Sequence, residues 1–444
     1  MWNDFFNLDS YVIKSILPDE EDLTKSENDG KGNSYLSLKD REYNPDEFSG
    51  LGKVILRKNI MEVETEEYGK VKKNVLLQDM INKPNTIYEI RYDFDLLGKN
   101  ISIKKGCVLK FEGGKIKNGS IIFNEVSIQS ALSYIFENIE CKGKVLGSIP
   151  VEYFGTFAYD STSIDLAVSL KNIYSISNIA QLGEGRYYTR ESSIEISSLI
   201  GKGKNSSIIE FLNIKNNTAG FRFGKTTGGP ENRTWNNYIA GVQIEIKDVG
   251  AVGTSAIEIN NVTRSTLERV TLINFNYRKS EYNAEELNTP ETCSNCALVL
   301  NGSSELVDVS NYTFIADIPI FVKKSCDFFS LRKGYLECSK FGFAGIYGLP
   351  LGTNSEISGG LDIAQGLYGI HFTAKSYDTF RTYYNNIRIE QLRSGGANIY
   401  LNAQVPIISM SLNYVSLSDT TKGIEIEGNA QCSLFCNNII CLSD

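Results

Sequence analysis

The chain is poor in the residues that most site chemistry needs. It has one histidine, His371, in 444 residues, so no imidazole cluster can hold a metal. Its nine cysteines are an odd, scattered set without the framework of a disulfide-stapled scaffold. Cys293-Ser294-Asn295-Cys296 is a lone C-x-x-C, and Cys432, Cys436 and Cys441 lack metal-ligand spacing. The expectation is free thiols from a reducing compartment, with no metal and no cofactor. No run approaches the roughly 20 apolar residues of a membrane span. Met1-Trp2-Asn3-Asp4-Phe5-Phe6 has neither the basic start nor the apolar core of a secretion leader, so the chain is expected to be made and folded in a cytoplasm. A net charge of −8 with no Lys/Arg stripe excludes a nucleic-acid binder.

What is present points to short strands and sharp turns. Glycine outnumbers proline 38 to 9, and the 24 Tyr and 22 Phe far exceed the 2 Trp. The stretch Ala180–Phe211 holds two Gly-x-Gly words, Gly183-Glu184-Gly185 and Gly201-Lys202-Gly203. Between and after them, Ile194-x-Ile196, Leu199-Ile200 and Ile208-Ile209-x-Phe211 read as clipped strands with no helical period. Further on, the segments 257–273, 298–314, 320–336, 370–389, 399–415 and 424–440 share one grammar. Each opens on an apolar-x-apolar strand, crosses about six polar or small residues and resumes an apolar alternation. Strand-only units recurring every ~20–30 residues predict a parallel β-helix, each coil burying its inward residues against the coils above and below.

Three regions are expected. Residues 1–59 carry the acidic run Asp19-Glu20-Glu21-Asp22 and a polar stretch from Lys25 to Asn33, and read as an arm that orders on a partner. Its tip has Trp2, Phe5, Phe6 and Tyr11 to dock with. Residues 60–150 form a small β unit, with strands at Ile101-x-Ile103, Val108–Phe111, Ile121–Phe123 and Val126-x-Ile128. Residues 151–444 form the β-helix. The one helix is expected over 162–170, with Thr162 and Asp165 as a capping box, and it would cover the open edge of the first coil.

Two sets of words carry a resemblance. Tyr153-Phe154-Gly155, the Asp-bearing helix, Gly185-Arg186-Tyr187, Gly201-Lys202-Gly203 and Ser206–Ile209 resemble the pectate-lyase-like β-helix of phage tailspikes, over residues 151–211. This sequence has Gly183 where that pattern usually has proline, and its acidic word before the helix is shortened to Tyr159-Asp160-Ser161. Asn44-Pro45, Phe48-Ser49-Gly50 and Arg57-Lys58-Asn59 lie in a region similar to the leading part of tail proteins from crAss-like phages of gut Bacteroidales. The resemblance implies an all-β, right-handed parallel β-helix, a virion tail location and a homotrimer. It also implies an N-terminal region that docks on other tail proteins, and contact with a host surface glycan or receptor. The absent leader fits, because lysis releases virions without secretion.

Tailspikes of this fold often cleave polysaccharide, by lyase elimination or by hydrolysis with two carboxylates. Glu337, Asp362, Asp378 and Glu390 are the candidates, since strands of neighbouring coils lie only about 5 Å apart. Arg381 would clamp substrate, and Tyr383, Tyr384 and Tyr400, with Tyr414, would stack on sugar. Each has a plainer reading, as a solvated charge or a ring packed inside a coil, and His371 reads more readily as packed than as a base. Attachment to the host surface without cleavage, or support of tail assembly, is therefore the favoured function, and a polysaccharide lyase or glycoside hydrolase the rival.

Overall fold

A computed structural model describes residues 52–65, 69–224, 233–247, 250–274, 295–324, 326–339, 342–374, 380–390, 392, 396–403, 408–417, 422–428 and 432–441. Trp2, Phe5, Phe6, Tyr11 and Asp378 lie outside these residues, as do the side chains of Arg381 and Tyr414. The chain divides into two compact units: up to Thr156 together with Val168–Ala180, and Phe157–Ala167 together with everything from Gln181.

In the first unit, residues 86–145 already run as parallel coils. Ile101 lies opposite Ile121, and Ile121 opposite Cys141, one rung every twenty residues. All three are buried, as are Phe111, Phe123 and Phe136, whose rings meet edge to face. An antiparallel hairpin, Ile60–Thr65 with Gly69–Asn74, precedes these coils.

The helix, α1, spans Leu166–Tyr174, four residues later than its sequence suggests. The carboxylate of Asp160 accepts from the backbone N–H and hydroxyl of Thr162, which closes a turn of its own and keeps residues 160–163 out of the helix. Asp165 is the N-cap: its Oδ1 accepts from the N–H of Ala167 at 2.9 Å. The same carboxylate accepts from the Thr189 hydroxyl and the Arg190 N–H, which ties the start of α1 to the strand Gly185–Thr189. Parallel coils precede α1 in the chain, so the first coil lies ahead of it. Among the described residues no helix is long and apolar enough to cross a membrane.

The second unit is a parallel β-helix. Among the described residues, nine short strands from Ile194 to Glu427 make one sheet, face A. Longer strands, such as Val262–Asn274, Ser304–Ala316, Ser330–Cys338, Ser355–Ala364 and Phe380–Glu390, make a second sheet. Each long strand is bent by a residue at positive φ: Arg269, Asn311, Lys333, the pair Gly359 and Gly360, and Asn386 occupy this corner in successive coils. The corner separates face B, before it, from face C, after it. The Gly-x-Gly words are explained by close approach. A Cβ on Gly201 would lie 2.3 Å from the carbonyl oxygen of Gly241 in the next coil, and Gly185 has φ +123° with Ala158 against it.

Inward positions stack rung on rung. On face A, Phe221, Ile257, Leu298, Ile320, Ile346, Ile370, Ile399 and Ile424 form one column. All but Ile424 are buried to 1% exposure or less, and each such side chain contributes about 1.5–3 kcal/mol. Tyr384 stands in the corresponding column of face B, beside Ile357, and is 1% exposed. The hydroxyl of buried Tyr312 has no hydrogen-bond partner among the described residues. A buried hydroxyl left unpaired costs about 1–3 kcal/mol. Tyr312→Phe is therefore expected to raise the urea midpoint, by about 1 kcal/mol of stability. A lowered midpoint would mean that the hydroxyl holds a buried water.

Candidate functional site

The outward column of face A changes character along the coil stack. It begins with charge: Glu195, Arg222 and Glu258 lie opposite one another, and Arg222 pairs with Glu258 at 3.0 Å. It continues through Val299 to Phe321, Tyr347, His371 and Tyr400, and ends at Glu425. The cause is local sequence, because each strand sets an outward residue between two inward ones. Ile320-Phe321-Val322, Ile346-Tyr347-Gly348, Ile370-His371-Phe372 and Ile399-Tyr400-Leu401 repeat the same triplet with a ring in the middle.

These rings touch in sequence. Centroids of Phe321 and Tyr347 are 5.2 Å apart, Tyr347 and His371 5.3 Å, and His371 and Tyr400 4.5 Å. Phe343 and Tyr368 pack alongside, both against His371 and against each other. Several contacts are crossed, with interplanar angles of 79° for Tyr347–His371, 81° for Tyr368–His371 and 89° for Phe343–Tyr347. Phe321, Tyr347, Tyr368, His371 and Tyr400 are half-buried, so part of each ring meets solvent.

Polar groups finish the far end. The Tyr400 hydroxyl donates to Glu427 at 2.6 Å, and Lys422 pairs with Glu425. Burial and then the Glu427 carboxylate push the Tyr400 phenol up to about 12, so it stays protonated and donates. His371 is enclosed by rings, and its Nδ1 has no partner among the described residues. Burial holds its imidazole down at about 4, so it is neutral at pH 7.

Face C gathers three of the four carboxylates expected from sequence. Glu337 and Glu390 stand in one outward column with Ala364 between them, while Asp362 lies in the adjacent column between Tyr335 and Arg388. Arg388 pairs with Glu390 at 2.5 Å, and Gln365 donates to Glu337 at 3.4 Å. Burial, then Glu337, Glu390 and Asp362, raise the Tyr335 phenol. An older part of the same face, in coil order, is closed by ion pairs: Arg186 bridges Glu210 and Glu245, with Lys247 also on Glu245.

The tyrosines do not form one strip. Tyr383 is exposed on face B, Tyr384 points into the core where no glycan reaches it, and Tyr400 is on face A. Sequence reading missed Phe321, Phe343, Tyr347 and Tyr368. For Phe321 and Tyr347 the signal was the middle residue of the repeated triplets, visible only once the strands are laid in register; Phe343 and Tyr368 lie outside the triplets. Among the described residues no group of three or more metal-ligating side chains converges.

No protein-family profile and no curated protein matches this sequence. Solved structures give low-scoring likenesses. ORF18 of Geobacillus virus E2 aligns at 12% identity with a TM-score of 0.33, covering 66% of this chain and 62% of that one. The Agl-KA catalytic domain aligns at 15% and 0.30, covering 66% and 68%. The Yersinia enterocolitica family 28 exopolygalacturonase aligns at 11% and 0.23, covering 86% and 74%. At these scores they add nothing to what the strand pairing shows. The fold class is therefore defined by the chain itself, a parallel β-helix with an outward aromatic ladder.

His371 gives the ladder an acid sensitivity. The unfolded chain binds a proton near pH 6.5 and the folded chain only near 4, so stability rises with pH across that window and is complete above it. Between pH 6.5 and 4 the loss is on the order of 3 kcal/mol. His371→Phe, which cannot protonate, should show a smaller drop in denaturant midpoint between pH 7 and 4.5 than the parent chain. Equal drops in the two proteins would assign the sensitivity elsewhere.

Proposed function

We propose that the chain is a virion tail protein, a tailspike or tail-fibre subunit, that attaches a phage to the glycan coat of its bacterial host. The observation that carries the reading is the outward ladder of Phe321, Tyr347, His371 and Tyr400, with Phe343 and Tyr368 beside it. The rings stabilise the coils by packing on one another, and their half-exposed surfaces with hydroxyl rims also suit the mixed apolar and polar surface of sugars. The tailspike words between Tyr153 and Ile209 support the virion location. The likeness to crAss-like phage tail proteins rests on the N-terminal words alone. In this reading the region 1–59 engages other tail proteins and three copies assemble into the working spike.

The rival, a depolymerase, draws on one observation: Glu337 and Glu390 flank Ala364 two coils apart, about 10 Å between backbones, with Asp362 diagonal to both. Inverting glycosidases set their carboxyl groups roughly 6.5–9.5 Å apart, a range that side chains on backbones so spaced can reach.

Fluorescently labelled chain is expected to bind cells of a Bacteroidales panel, and periodate oxidation of the cell surface should abolish it. The double variant Tyr347→Ala/Tyr400→Ala should lower cell binding at least tenfold while its circular dichroism stays that of a β-protein. Cell binding that survives both treatments would sink the attachment reading as framed. Release of reducing ends from the purified capsule, lost in Glu337→Gln and Glu390→Gln, would establish the depolymerase instead.

A further inference from the structure

The ladder also limits what kind of glycan it takes. From Phe321 to Tyr400 its rungs carry no formal charge, and the ring centroids of neighbouring coils lie 4.5 to 5.3 Å apart. A pyranose unit in an extended chain has about that length, close to the ~4.8 Å spacing of the coils themselves. The crossed contacts matter here. When one ring meets another edge to face, at 79° or 81°, one of the pair keeps a face uncovered by its neighbour. The apolar face of a sugar can lie against such a surface, with its hydroxyls outward.

Most charged groups near the ladder are held by a neighbour. Lys422 is held by Glu425, Glu427 accepts the Tyr400 hydroxyl, and the ammonium of Lys323 lies 5.4 Å over the Phe321 ring. Arg222, lower in the column, is paired with Glu258. Lys323 and Lys324, exposed at the Phe321 end of the ladder, have no carboxylate partner among the described residues. The neighbouring face C adds Glu337, Asp362 and Glu390 against Arg388 in the same coils, and the whole chain carries −8. An acidic polysaccharide laid along Tyr347, His371 and Tyr400 would meet repulsion, offset among the described residues only by Lys323 and Lys324 at the Phe321 end.

A protein partner fits less well. A stable protein interface buries about 800 Å² per partner, and half-buried rings one column wide expose much less. A few sugar rings need only such a strip.

On the attachment reading, we infer that the face A ladder binds a neutral, extended glycan laid along the coil axis, with sugar rings against Tyr347 and Tyr400 and a hydroxyl read by Glu427. Acidic polysaccharide is not its ligand. This reading makes the ladder the specificity-determining surface of the chain, and it makes binding insensitive to salt, because counterion screening has no ion pair to weaken.

The test uses surface polysaccharide extracted from cells that the full chain binds, separated by anion exchange into neutral and acidic fractions. Each fraction is titrated against the full chain at 20 and 300 mM NaCl, with Tyr347→Ala/Tyr400→Ala and Glu427→Gln alongside. Glu427→Gln, an isosteric change at the exposed end of the ladder, keeps the comparison valid if the double alanine variant misfolds. The expected result is binding of the neutral fraction, changed less than twofold by salt and weakened at least tenfold by the double substitution. Glu427→Gln should weaken it several-fold. Binding of the acidic fraction alone, or neutral binding indifferent to all three substitutions, overturns the inference and leaves attachment standing. Neither fraction binding, although cells do, overturns it as well, and the receptor is then not a glycan. A chain that binds no cells at all fails the attachment reading first.

Discussion

Everything in the larger unit depends on one repeated contact, an inward apolar side chain resting on its equivalent in the next coil. The column from Phe221 to Ile399 is the clearest case. No single coil can bury its own inward residues, so each rung is stable only because the rungs on both sides exist. That requirement fixes the register, because a slip by one residue would turn the whole inward set to solvent and bring Glu258 and Tyr347 inside. It also fixes where chemistry can be placed. Only the alternate, outward positions are free to vary, and the coil spacing sets their separation.

The corners follow from the same constraint. To keep the inward alternation on both sides of a bend, the chain spends one residue in the left-handed region, which asparagine and glycine tolerate best. Asn311 and Asn386 take this role, as do Gly359 and Gly360. Asn301-Gly302-Ser303 and Asn311-Tyr312-Thr313 show the same need. Gly302 and Asn311 both have positive φ and both sit where strands turn. Lys333 and Arg269 occupy the same corner as Asn311, showing that the position demands a backbone shape and tolerates different side chains.

The three outward faces have separated in chemistry although their strands share one repeat. Face A passes from ion pairs to rings, face C carries carboxylates with few cations, and face B presents Arg332 paired with Asp308 and an exposed Tyr383. This separation is what lets one chain support both an attachment reading and a depolymerase reading, on different sides of the same coils. Rings suit a ligand recognised by its apolar faces. Carboxylates set two coils apart suit proton transfer, and here they are partly engaged by Arg388 and Gln365.

Much of the fold was legible in sequence, for a physical reason. Strand, turn and inward alternation are local, so Ile257, Leu298, Ile320 and their equivalents announce themselves by spacing alone, and the glycine words mark where backbones must approach. The start of α1 was misplaced because two aspartates compete for the cap, and only the finished turn shows that Asp160 closes its own while Asp165 caps the helix. The carboxylates Glu337, Asp362 and Glu390 could be named from sequence, but their convergence is a matter of register. The same holds for the rings: Tyr384 and Tyr400 look alike on the page, yet one is sealed in the core and the other ends the ladder. The sequence by itself determined that this chain coils as stacked parallel strands, since that follows from periodicity. Which side chains become neighbours across coils, and so what the surface can bind, was decided only by the tertiary structure, because loops of unequal length set which residue faces which.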